Sequence, residues 1–85
     1  MNLILSSKPG CHLCEGLEEK LRAIQTIELS LDIRDITQDD RTFEAYQYEI
    51  PVLYLQQDDG TLIQLPRQSP RSSMTQIVRM LQPYL

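Results

Sequence analysis

Leu3, Ile4 and Leu5 follow one another without a polar break, and Ser6, Ser7, Lys8, Pro9 and Gly10 end the run. An unbroken apolar triplet before such a loop predicts a strand buried on both faces. From there the apolar residues fall at Leu13, Leu17, Leu21 and Ile24, in steps of four, four and three. That spacing predicts a helix with one apolar stripe. Glu15, Glu18 and Glu19 come early on its other side, and Lys20 and Arg22 come late. This order complements the helix dipole. Gly16 costs the helix about 1 kcal/mol relative to alanine, and close packing is one reason for a glycine there.

In "IELSLDIRDI", Ile27, Leu29, Leu31 and Ile33 alternate with polar residues, which predicts a strand with one wet face. Thr37 and Asp40 resemble a capping box for a short helix that carries Phe43 and Tyr46 inward. "IPVLYLQQDDGTLIQLP" reads as two strands around a tight turn, with Asp59-Gly60 supplying positive φ angles and Pro66 ending the second strand. Ser69 and Pro70 suit the N-cap and first position of a last helix, striped by Met74, Ile77, Val78 and Leu81. The order β-α-β-α-β-β-α predicts a single α/β domain over residues 1–85. Its mixed four-stranded sheet starts with a parallel, right-handed βαβ unit and has helices on both faces.

Eighty-five residues suffice for one small domain and not two. A net charge of −4 argues against nucleic-acid binding and against docking on anionic lipid. No apolar run approaches the ~20 residues that span a bilayer. "MNLIL" lacks the basic start and length of a signal-peptide core, so a cytoplasmic location is expected.

The chain has two cysteines, Cys11 and Cys14, in "SKPGCHLCEGLEEKL". Three readings arise: a redox pair, half of a metal site, or a structural staple. The staple is weakest, because lone cytosolic disulfides are usually transient and a short loop constrains the unfolded chain little. Residues three apart on a helix lie about 5–6 Å apart at Cβ, and a disulfide needs Cα atoms roughly 4.4–6.8 Å apart. The pair can therefore open and close with little backbone movement. Cys11 is placed at or just before the first turn, where free N–H groups and the dipole favour a thiolate. Cys14 falls beside the apolar stripe, deeper, and suits the role of resolving a mixed disulfide. His12, as an imidazolium, would stabilise a neighbouring thiolate; otherwise it is an exposed polar residue. Lys8 adds positive potential or binds a substrate carboxylate; otherwise it is a solvated charge.

"SKPGCHLCEGLEEKL" resembles the active-site region of the glutaredoxin-like branch of the thioredoxin superfamily. Lys8, Cys11 and Cys14 match its Lys-x-x-Cys-x-x-Cys loop, and "YEIPVLYL" looks like the segment carrying a cis-proline opposite the redox pair, here Pro51. The resemblance implies a thioredoxin-like fold of glutaredoxin type and a thiol–disulfide oxidoreductase with Cys11 as nucleophile and Cys14 as resolver. It also implies substrate docking along Ile50 and Pro51, no bound cofactor, and glutathione as a candidate co-substrate. The chain departs from the common Cys-Pro-Tyr-Cys, having Cys-His-Leu-Cys. "LPRQSPRSS" stands where a Gly-Gly pair usually lies near the glutathione carboxylates, with Arg67 or Arg71 as a substitute anion contact.

The implied partners are a disulfide-containing protein or glutathione mixed disulfide, with glutathione or a reductase as electron donor, acting on a monomer. Two other readings stand beside this one. A non-catalytic binding module would keep the fold and use its groove for recognition. A metal or iron–sulfur centre would need a dimer or outside ligands, since two cysteines and one histidine do not complete a tetrahedral site. No metal ligand set is assigned within the chain.

Overall fold

The computed structural model describes all residues, 1–85. It contains β1 (Asn2–Ser7), α1 (His12–Ala23), β2 (Ser30–Asp35), α2 (Asp40–Tyr46), β3 (Val52–Gln56), β4 (Leu62–Gln64) and α3 (Met74–Leu81). The strands lie in the order β2-β1-β3-β4. β1 pairs in parallel with β2, whereas β3 runs antiparallel to both β1 and β4. The expected mixed sheet and element order are thus present. No helix is long and apolar enough to cross a membrane.

Alternation along the strands separates the two faces of the sheet. Leu3 and Leu5 of β1 stand opposite Leu55 and Leu53 of β3. They share the larger core with Leu17 and Leu21 of α1 and Ile77 and Leu81 of α3. Each fully buried leucine contributes roughly 1.5–3 kcal/mol relative to exposure. Ile4 and Tyr54 face the other way, and Tyr46 of α2 lies beside Tyr54. Helices therefore cover both faces. A second, small core of Cys14, Ile36 and Ile50 forms at one end of the sheet.

Several local expectations are corrected. β2 begins at Ser30 and not Ile27, because its partner β1 begins at Asn2, which registers with Ser30. Ile27 is buried in the larger core but has no strand to pair with. Thr37 does not cap a helix. Asp35 accepts its N–H at 2.8 Å to start a single 3-10 turn (Ile36–Gln38), and Asp39 caps α2 by accepting from Arg41. The hairpin loop is longer than a two-residue turn. It closes with the Gln57 N–H donating to the Thr61 carbonyl at 2.8 Å, and among its non-glycines no residue has positive φ. Gly60 alone takes φ +88°, as a longer loop needs one left-handed residue where a type I′ turn needs two. The Asp59 carboxylate instead accepts the Thr61 N–H at 2.9 Å. Ser69 opens a turn, while Ser73 caps α3 in a reciprocal box with Gln76. Leu13 and Met74 are 51% and 42% exposed, so each stripe reaches solvent at its first member.

Candidate active site at the first helix

β1 delivers the chain to a tight turn in which the Cys11 N–H donates to the Lys8 carbonyl at 3.3 Å. Gly10 takes φ +80° in that turn, a conformation that side chains rarely adopt. The chain then enters α1 with Cys11 as its N-cap. Helix N-caps are usually Ser, Thr, Asp or Asn, whose oxygen accepts an orphan N–H. Here a sulfur takes that part: the Cys14 N–H donates to the Cys11 Sγ at 3.2 Å.

Cys11 and Cys14 form a disulfide across a Cα separation of 5.3 Å. Their environments differ. Cys11 is half-buried, whereas Cys14 is 1% exposed and packs with Ile36 and Ile50. The rim of this small core is formed by Phe43 and Tyr46 of α2.

The opposing wall is the segment between α2 and β3. The Glu49 and Ile50 N–H groups both donate to the Tyr46 carbonyl, at 2.8 and 3.1 Å. The Ile50-Pro51 peptide bond is cis, in agreement with the resemblance. One backbone group of Ile50 is free of partners within the chain. Its N–H is already bonded to Tyr46, so the available group is its carbonyl, which no donor of the chain reaches.

A third wall comes from the β4–α3 connection. Arg67 donates from its guanidinium to the Glu49 carbonyl at 2.5 Å, and Lys20 of α1 donates to the Pro70 and Ser72 carbonyls at 3.1 and 2.7 Å. Leu13 and Gly16 of α1, Pro51, Arg67 and Pro70 line the groove enclosed between these walls. A Cβ at Gly16 would meet nothing within 4 Å, so close packing does not explain this glycine.

The two residues expected to tune a thiolate sit at the margin. His12 is 93% exposed at its side chain and lies 3.6 Å from the Glu15 carboxylate. Lys8 is half-buried in a shallow depression with Glu15, Glu18 and Asp35. The Asp35 carboxyl is held below its ordinary range, chiefly by the Thr37 hydroxyl and then by the Thr37 N–H. Burial, and then the adjacent Tyr46 hydroxyl, push Tyr54 up to about 12. No three His, Cys, Asp or Glu side chains come together as a metal site.

Sequence reasoning missed Ile36, which floors the small core, and the grip of Arg67 on Glu49. The step from Ile33 to Ile36 breaks the two-residue period of β2, which is a legible sign that the strand has ended. Nothing local to Arg67 points at Glu49, since their contact crosses two strands.

A cysteine pair at the head of the first helix, facing a cis-proline segment across one end of this mixed sheet, defines the thioredoxin-like class. Within that class the chain belongs to the glutaredoxin-like domain family (DUF836), which matches residues 2–82. It is also similar to a solved X-ray structure, the Northeast Structural Genomics target protein XcR50 from X. campestris. Identity is 26% over 91% of this chain and 93% of that one, with a TM-score of 0.54. No curated protein matches the chain.

Proposed function

We propose that this protein is a thiol–disulfide oxidoreductase. The observation that carries the reading is the asymmetry of the pair. Cys11 caps α1 with its sulfur within reach of a backbone N–H, while Cys14 lies buried one turn deeper. In the reduced protein the helix N-terminus favours a thiolate at Cys11.

The Cys11 thiolate attacks one sulfur of a substrate disulfide. The new S–S bond joins Cys11 to that half of the substrate, and the other half leaves as a thiolate that takes up a proton. Cys14 then loses its proton and attacks the Cys11 sulfur. The second half of the substrate leaves as a thiol, and the Cys11–Cys14 disulfide remains. Two electrons have passed to the substrate, and a dithiol or two monothiols must return them. Substrates are protein disulfides or glutathione mixed disulfides, and donors are glutathione or a reductase. An extended substrate chain docks along Ile50 and Pro51, donating an N–H to the Ile50 carbonyl in the manner of strand addition. Lys8 adds positive potential from the rim, as does His12 when protonated. The reducing cytoplasm is the compartment that suits such cycling, and a monomer suffices for it.

Turnover with glutathione and with a reductase, measured side by side for wild type, Cys11→Ser and Cys14→Ser, tests the proposal. Full activity in Cys11→Ser would falsify it.

A further inference from the structure

The Glu49–Ile50 peptide unit is held at both of its polar atoms. Its N–H donates to the Tyr46 carbonyl at 3.1 Å, and its carbonyl oxygen accepts from Arg67 at 2.5 Å. Rotation of this unit would break one bond or the other. The unit directly precedes Ile50, whose side chain packs on Cys14 and whose carbonyl is left without a donor. Clamping one peptide plane restricts the ψ of Glu49 and the φ of Ile50, one of the two dihedrals that set the direction of the Ile50 carbonyl.

Arg67 belongs to neither α2 nor β3. It stands just beyond Leu65, whose N–H extends the β3–β4 pairing by donating to the Leu53 carbonyl at 2.9 Å. Its segment is tied at the far end by Lys20, which rises from α1 (the helix that carries the cysteines) to the Pro70 and Ser72 carbonyls. A ring of contacts thus runs from the cysteine helix through Lys20, the β4–α3 connection, Arg67 and Glu49 back to Ile50 and Cys14.

We infer that Arg67 is a positioning residue. By gripping the Glu49 carbonyl, it orients the Ile50 carbonyl toward the groove where an incoming disulfide chain docks. The inference rests on the oxidoreductase reading for its consequence in turnover, and on geometry alone for its consequence in the backbone. Arg67 is exposed, so its replacement leaves the cores untouched.

The test compares wild type, Arg67→Ala and Arg67→Lys on a neutral peptide disulfide and on one bearing a carboxylate next to its cystine. Cys11 alkylation by iodoacetamide and amide exchange at Ile50 are followed alongside. Arg67→Ala should raise KM for both peptides about 3- to 10-fold, as loss of one hydrogen bond of ordinary strength at an exposed site implies. It should leave kcat and the alkylation rate near wild type and speed Ile50 exchange. Arg67→Lys, which keeps one cationic donor, should recover most of both effects. The inference is overturned by unchanged KM with unchanged exchange. It is equally overturned by parallel loss of kcat, alkylation and melting temperature, or by a KM rise confined to the carboxylate peptide, which would make Arg67 a direct ligand. If wild type reduces neither peptide, the proposed function fails, and exchange at Ile50 still decides whether Arg67 holds that peptide.

Discussion

Cys14 and Ile50 share one small core, separate from the main one, although they come from opposite ends of the α1-to-β3 stretch. The contact seals the deeper sulfur and leaves Cys11 half-buried above it. The difference in exposure between the two sulfurs therefore depends on a tertiary contact as well as on their order along α1.

The two cysteines should give different variants. Cys11→Ser should abolish disulfide reduction, because Cys14 is sealed in the small core and does not reach a substrate disulfide. Cys14→Ser should retain the first attack and accumulate a mixed disulfide at Cys11, visible by intact mass spectrometry under non-reducing conditions. Recovery of a Cys14-linked adduct from Cys11→Ser at wild-type rate would reverse the assignment.

Gly16→Ala should stabilise the protein. Gly16 lies inside α1, has no positive φ, and a methyl group there would point into open space. Alanine restores helix propensity and narrows the unfolded ensemble, worth about 0.5–1 kcal/mol. A rise of the melting temperature by a few degrees would register this in a domain of such size. A fall would show that the glycine serves the groove it lines.

Acid should weaken the fold partly through Asp35 and Asp59. Both carboxyls are held below the ordinary range, Asp35 first by the Thr37 hydroxyl and Asp59 first by the Thr61 N–H. A depressed folded pKa adds stability that is present above the unfolded value of 3.8 and is lost as pH falls through the folded value. Asp35→Asn with Asp59→Asn should therefore lower stability at neutral pH and flatten its decline below about pH 4. Urea unfolding at neutral and acid pH measures both effects; an unchanged acid limb would contradict the assignment.

Tyr54 should be the last of four tyrosines to ionise. Burial and then Tyr46 raise it to about 12 from 10.0. A raised folded pKa means stability is intact below 10.0 and is lost as pH climbs toward 12. In an alkaline absorbance titration, Tyr54→Phe should remove the highest step. Persistence of that step would assign it to another tyrosine.

Much of the chain was legible because its periodicities are clean. Three adjacent apolar residues announced a doubly buried strand, and Leu17, Leu21 and Ile24 announced the inward face of α1. The cysteine spacing placed one sulfur at the helix start and one within the first turn, since α-helix geometry is local. Caps were less legible. Several Ser, Thr and Asp residues stand near each helix start, and which one caps depends on where the preceding strand releases the chain. Asp35, Asp39 and Ser73 were chosen by the lengths of β2 and the β4–α3 connection, not by residue type.

Element order, the main apolar faces and the pairing of the two cysteines all follow from short-range spacing, and the residues alone were enough to read them. What faces that pair is set by packing. Ile36 and Ile50 meet Cys14 only because the parallel β1–β2 and antiparallel β1–β3 pairings end at the same end of the sheet. Arg67 reaches Glu49 only because β4 returns beside β3. Such contacts join residues far apart in the chain, and periodicity carries no information about them.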